Sequence, residues 1–240
     1  MKKSYSIDNV SEYNADCNNK TLHPLVSVID FSNTPPREWG DAASMLFKYG
    51  LYCIYLKDVK CGDIRYGRQY YDYQAGTLAF FAPGQVSEVF KPVEPVKPMG
   101  YGLIFHPDFL IGTDLGKHIS TYKFFDYETN EALHLSDDER AMILDTLKKI
   151  EFELKQPIDK HSKKLIVAKI ELFLDYCQRF YDRQFITREN VNKGILENFE
   201  DLLNNYFGSE DTNAYGLPSV AYCADKLNLS SNYLSVLFWL

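Results

Sequence analysis

Apolar residues in this chain repeat with a two-residue period up to His134 and with a period of about 3.6 beyond it, and that switch constrains the fold more than any other feature. Before it, residues 25–30, 52–56, 63–66, 78–81 and 100–105 are short runs of β-branched and aromatic residues that suit a pleated, half-buried surface. Turn signals at Cys61-Gly62-Asp63, Ala75-Gly76 and Pro83-Gly84 separate them closely enough to predict an antiparallel sandwich or barrel over 24–135. After the switch, Ser136 and Glu139 form a capping box, and Met142, Ile143, Leu147, Ile150 and Leu154 recur at helical spacing until Gln156-Pro157. A second helix is expected over 159–182, with the stem of Lys169 lying along its wide apolar stripe. A third is expected from Thr187, ended by Gly208. The fold class that follows is α+β, with the two helices of 136–186 packed antiparallel as a linker pair.

Composition narrows the function. Hydrophobic residues make up 45% of the 240, enough for a sizeable core. The N-terminus is basic, but a polar stretch through Asn18, Asn19 and Lys20 stands where a secretion signal needs apolar residues; 1–23 reads as a flexible arm and the protein as cytoplasmic. The longest apolar runs, such as Leu78 to Ala82, are far short of a bilayer span, so no membrane partner is expected. Five cysteines without a C-x-x-C pair read as reduced thiols. A net charge of -7 excludes an extensive nucleic-acid surface, so DNA contact has to be local.

Residues 217–238 carry the most specific signal. A helix-turn-helix needs a small residue where its helices cross, a turn residue tolerant of the left-handed conformation, and apolar residues that lock the angle. Ala224 supplies the first, Asn228 the second and Leu229 the corner. Ser230 suits the N-cap of the second helix, which turns Leu234 and Leu237 inward and Ser231, Asn232 and Ser235 outward. The string Ala224-Asp225-Lys226-Leu227-Asn228-Leu229-Ser230-Ser231-Asn232-Tyr233-Leu234-Ser235 resembles the first helix-turn-helix of AraC/XylS-family transcription regulators. The run from Gly76 to Gln85, with its Pro83-Gly84 turn, is similar to the family's cupin-like sensor domain, and that from Gly102 to Leu110 to the sensor's closing strand. The resemblance implies a cupin-like antiparallel β-barrel over 24–135, linker and dimerisation helices over 136–186 and a partial all-α DNA-binding domain over 187–240. Ser230, Ser231, Asn232, Tyr233 and Ser235 would then face DNA. Val236 and Trp239-Leu240 depart from the family pattern, in which a second helix-turn-helix follows. With Arg188, Lys193 and Lys226 set against Glu189, Glu197, Glu200, Asp201, Glu210, Asp211 and Asp225, the expected grip on DNA is weak.

Chemistry within the barrel is the other question. The histidines show no H-x-H spacing, and no nucleophile elbow or phosphate-binding loop is present, so the reading is a non-enzyme without cofactor or metal. A ligand pocket for an amphipathic or anionic organic effector is expected instead, drawn from Tyr52, Tyr55, Arg65, Tyr66, Arg68, Tyr70, Tyr71 and Tyr73, with Tyr52, Arg65, Tyr66, Tyr73 and His106 as its binding residues. The competing expectation is a cupin-type enzyme with a helical tail. A homodimer is expected through Leu165, Leu172, Phe173 and Tyr176 of the second helix.

Overall fold

The computed structural model describes residues 3–59, 64–66, 69–70, 76–125, 132–208, 217–231 and 234. The chain divides into a unit of Met1–Tyr181 and a unit of Asp182–Leu240.

The first unit is α+β. Its strands are β1 (Lys3–Ile7), β2 (Val26–Asp30), β3 (Ser44–Tyr49), β4 (Tyr52–Lys57), β5 (Ile64–Tyr66), β6 (Gln69–Tyr70), β7 (Thr77–Phe81), β8 (Val86–Phe90), β9 (Gly100–Phe105) and β10 (Leu133–His134). They form two five-stranded sheets, ordered β1-β3-β8-β5-β6 and β10-β7-β4-β9-β2. Every pairing is antiparallel except that of β1 with β3. The expected closed barrel is therefore corrected to two separate sheets. Among the described residues, edge strands β6 and β10 are two residues each and no ladder joins the two sheets.

Alternation along the strands builds two cores. From β4, Ile54 and Leu56 join Leu78 and Phe80 of β7 and Leu103 and Phe105 of β9 on one face. Cys53 and Tyr55 join Ala79, Phe81 and Ile104 on the other, against Met45, Phe47 and Tyr49 of β3. Gly100 starts β9 at φ +116°, and a Cβ there would lie 2.2 Å from the carbonyl oxygen of Leu56.

Helix α1 is Val10–Asp16, α2 Asp114–His118, α3 Asp137–Leu154 and α4 Ser162–Gly208. The capping box forms: Glu139 N donates to Ser136 Oγ (3.3 Å) and Ser136 N to Glu139 Oε2 (2.8 Å). α3 and the first part of α4 cover the sheet through Ile143, Leu147, Ile150, Ile170, Phe173 and Leu174. Lys169 ties them by a 3.0 Å ion pair to Glu153. Phe173 is fully buried in this core, so its expected place in a dimer interface is corrected; Leu165 and Leu172 are exposed and Tyr176 is half-buried.

Two further expectations change. The third helix does not start at Thr187: α4 runs unbroken for 47 residues, because Arg183-Gln184-Phe185-Ile186 holds neither Gly nor Pro. The division into units falls within it. Residues 3–23 are built into the fold, since their asparagines satisfy backbone and buried groups. Asn9 caps α1, Asn18 takes the left-handed turn behind it at φ 54°, and buried Asn14 accepts from Ser27 Oγ (2.8 Å) and Asn19 Nδ2 (2.9 Å).

In the second unit, α5 (Val220–Lys226) and Leu234 pack with Phe199, Leu202 and Leu203 around Cys223 and Ala224. Among the described residues no helix is long and apolar enough to cross a membrane.

Phe173→Ala should destabilise the protein by about 3–5 kcal/mol in urea unfolding, as expected for emptying a filled core site. Lys164→Ala, at an exposed position of the same helix, should stay within about 0.5 kcal/mol. Equal effects would contradict the orientation of α4.

Candidate functional site

The two sheets of the first unit enclose a cavity of about 450 Å³. Its floor is aromatic: Tyr55 from β4, Phe81 from β7, and Phe47 and Tyr49 from β3 all point inward by strand alternation. Tyr49 and Phe81 stack at 4.4 Å. The N-terminal segment closes one side with Ile7, Tyr13 and Cys17. The opening is formed by Pro36, Arg37 and Trp39 on one loop and by Lys91, Val93 and Pro95 on another, with Arg37, Lys91 and Val93 exposed.

Besides Arg37, Lys57 and Lys91, the ionisable groups in and behind the wall are phenols and thiols, and burial holds them neutral. Tyr13 and Tyr55 hydrogen-bond to one another, and burial pushes both phenols well above their ordinary range, with Cys17 beside Tyr13 and Cys53 beside Tyr55 adding to the shift. Burial also pushes the Cys17 thiol up to about 11, despite its bonds to Tyr13 and Thr34, and the Cys53 thiol up to about 12. These phenols and thiols can therefore donate and accept hydrogen bonds near neutral pH without carrying charge.

Of the pocket residues expected from the sequence, Tyr55 lines this cavity, whereas Tyr52 and His106 do not. Tyr52 points to the opposite face of β4, stacked on Phe105 (5.0 Å) and edge-on to Phe125 (5.1 Å), because one position along a strand reverses the side. It borders a separate depression of about 270 Å³ with Leu110 and Ile119. His106 closes a turn, accepting from Asp108 N at Nδ1 (3.1 Å), and does not line the cavity. Of Arg65, Tyr66 and Tyr70 only the backbone is described, with Arg65 and Tyr66 opposite Glu88 and Ser87 of β8; Arg68, Tyr71 and Tyr73 lie outside the described residues. Sequence reasoning missed β3, although Met45, Phe47 and Tyr49 alternate with Leu46 and Lys48, and that alternation was the available signal. Tyr13, Arg37 and Trp39 sit outside strands and had no periodic signal. Among the described residues, no group of three or more His, Cys, Asp or Glu could hold a metal ion.

The second unit places another motif. Asn228 has φ 55°, and Leu229 N donates to Ala224 O (2.8 Å), so the chain turns sharply after α5. Helical structure resumes at Ser231, with Leu234 N donating to Ser230 O (3.0 Å) and Leu234 buried. Ser219 caps α5 through its bond from Tyr222 N (3.1 Å). Ser230 and Ser231 are exposed; Asn232, Tyr233 and Ser235 lie outside the described residues.

No family model matches the chain, and no curated protein matches it.

Raised thiols make stability fall at high pH. Above the ordinary thiol value of 9.0 the unfolded chain releases protons that the folded chain retains, so the urea midpoint should drop as pH rises from about 9 to about 11. Cys17 and Cys53 should also resist iodoacetamide near pH 8 until the protein is unfolded. Rapid labelling of either in the native state would contradict their burial.

Proposed function

We propose that this protein is a cytoplasmic, ligand-responsive transcription regulator of the AraC type, with the two-sheet unit as a cupin-like sensor and the second unit as a helix-turn-helix module. The observation that carries this reading is the left-handed Asn228 between two helical segments locked by buried Ala224 and Leu234. A recognition helix needs that corner, because the angle between helices sets whether the second can lie in a major groove. Small exposed Ser230 and Ser231 suit an approach to base edges and phosphates. Grip on DNA is weak in this reading, since residues from Asp182 onward carry more acids than bases. The aromatic cavity supports the sensing half: it is concave, mostly apolar and of a size suited to a small organic molecule.

The DNA-binding half is tested by selecting duplexes from a random pool with the whole chain at about 50 mM salt, where phosphate contacts are least screened. An enriched sequence is expected, with Ser231→Glu weakening its binding by about tenfold or more through repulsion from the backbone. A pool without enrichment, or a Ser231→Glu variant that binds as before, contradicts it.

The regulator acts as a homodimer in this proposal, through the face of α4 that carries Leu165 and Leu172, each more than two-fifths exposed, with Tyr176 at its edge. Sedimentation should give a dimer for the unmodified chain and a folded monomer for Leu165→Lys with Leu172→Lys. An unmodified chain that stays monomeric at high micromolar concentration refutes the dimer.

A further inference from the structure

We infer that the cavity between the two sheets takes a small anion with an apolar body, its head held by Arg37 and Lys91 at the opening and its body laid on the aromatic floor. The inference rests on reading that cavity as the ligand site and adds the chemical class of the ligand.

Charge in the wall is one-sided. Its described lining residues include Arg37, Lys57 and Lys91 and no Asp or Glu, although the chain as a whole has 33 acidic residues against 26 Lys and Arg. Random sampling of such a surface would bring carboxylates in with the cations. Among the described residues neither Arg37 nor Lys91 forms an ion pair. The Arg37 guanidinium lies over the rings of Phe47 (4.7 Å) and Tyr5 (5.3 Å). Stacking occupies its face and leaves the planar fork of N–H donors for an acceptor. Lys91 Nζ donates to the carbonyl oxygen of Gly40 (3.1 Å). That bond ties the Lys91 loop to the loop of Arg37, so the two cations belong to one opening. An ammonium has three donors, and one bond to a carbonyl leaves two.

The body of the ligand is set by what lies beneath. Tyr49, Tyr55 and Phe81 offer ring faces, and the neutral polar groups of the wall, Tyr13, Cys17 and Thr34, are largely engaged with one another. A sugar or other polyol would lose hydration there without enough partners, while an alkyl or aryl body would not. The proposed ligand thus points its charge at the solvated opening and its apolar part inward.

The test is calorimetric titration of the whole chain with five probes: decanoate, 2-naphthoate, their uncharged counterparts decanol and 2-naphthylmethanol, and decylammonium. At least one anion should bind about tenfold or more tightly than its uncharged counterpart, the gain of a charge-assisted contact, and decylammonium should bind weakest. Preference for decanoate or for naphthoate tells whether the body is alkyl or aryl, and either supports the proposal. Arg37→Gln with Lys91→Gln, both at exposed positions, should keep the unmodified melting temperature and bring the anion's affinity down to that of its uncharged counterpart. Uncharged probes that bind as tightly as anions would overturn the ligand class and leave the ligand site standing. Failure of all five to bind would overturn the site and the class together, and an anion preference that survives the double substitution would overturn the role of these two residues.

Discussion

Burial of the sheet β10-β7-β4-β9-β2 on both faces is the constraint from which the rest of the first unit follows. A strand that meets water on one side alternates apolar and polar residues, whereas Tyr52-Cys53-Ile54-Tyr55-Leu56 is apolar throughout and needs two covers. Helices α3 and α4 supply one and the sheet built on β3 and β8 the other. Because neighbours on a strand face opposite ways, register assigns each aromatic residue to one of two different environments. Tyr55 becomes a cavity wall and Tyr52 a helix-side packing residue by that rule alone.

This also explains which parts of the structure were legible. Short apolar runs and a change of period identify an α+β chain, and Ser136 with Glu139 marks the start of α3 to the residue, since capping is a local interaction between nearby groups. Long-range choices leave no such mark. Tyr52 and Tyr55 are chemically alike, and only the sheet that packs against each tells them apart. Polar residues 9–19 look unfit for a core, yet Asn14 is fully buried because Thr21, Ser27 and Asn19 satisfy its amide. Thr187 suggested a helix start, but a threonine caps a helix only where the chain has already left helical geometry, and residues 183–186 hold neither Gly nor Pro to make it leave. Arg37 and Trp39 reach the cavity from a loop, where residue spacing carries no information about direction.

The second unit rests on a smaller set of contacts. Among the described residues, Tyr206, Cys223, Ala224 and Leu234 are its buried apolar side chains, with Phe199, Leu202, Leu203, Tyr222, Leu227 and Leu229 half-buried around them. Asn228 accepts the left-handed conformation at lower cost than most non-glycine residues, and the Leu229 N–H satisfies the carbonyl of Ala224 that the end of α5 leaves open. Local hydrogen bonding thereby fixes the turn that follows α5.

Charge placement around the cavity obeys the same economy of desolvation. A guanidinium buried among Tyr55, Phe81 and Tyr49 would lose its hydration without a carboxylate to replace it, at a cost of several kcal/mol after relaxation. Held at the opening over Phe47 and Tyr5, Arg37 keeps water on its donor edge and still gains from the negative faces of the rings. Apart from Lys57, whose ammonium lies 5.6 Å from the centre of the Tyr55 ring, the ionisable groups further in are phenols and thiols whose protons burial holds on over the physiological range. A gradient from cationic rim to neutral aromatic floor results, and it gives an elongated amphiphile only one favourable direction of entry. Reversing such a molecule would draw its charge away from Arg37 and Lys91 into a largely aromatic interior and leave its apolar end beside two hydrated cations, so orientation follows from the placement of charge along the wall.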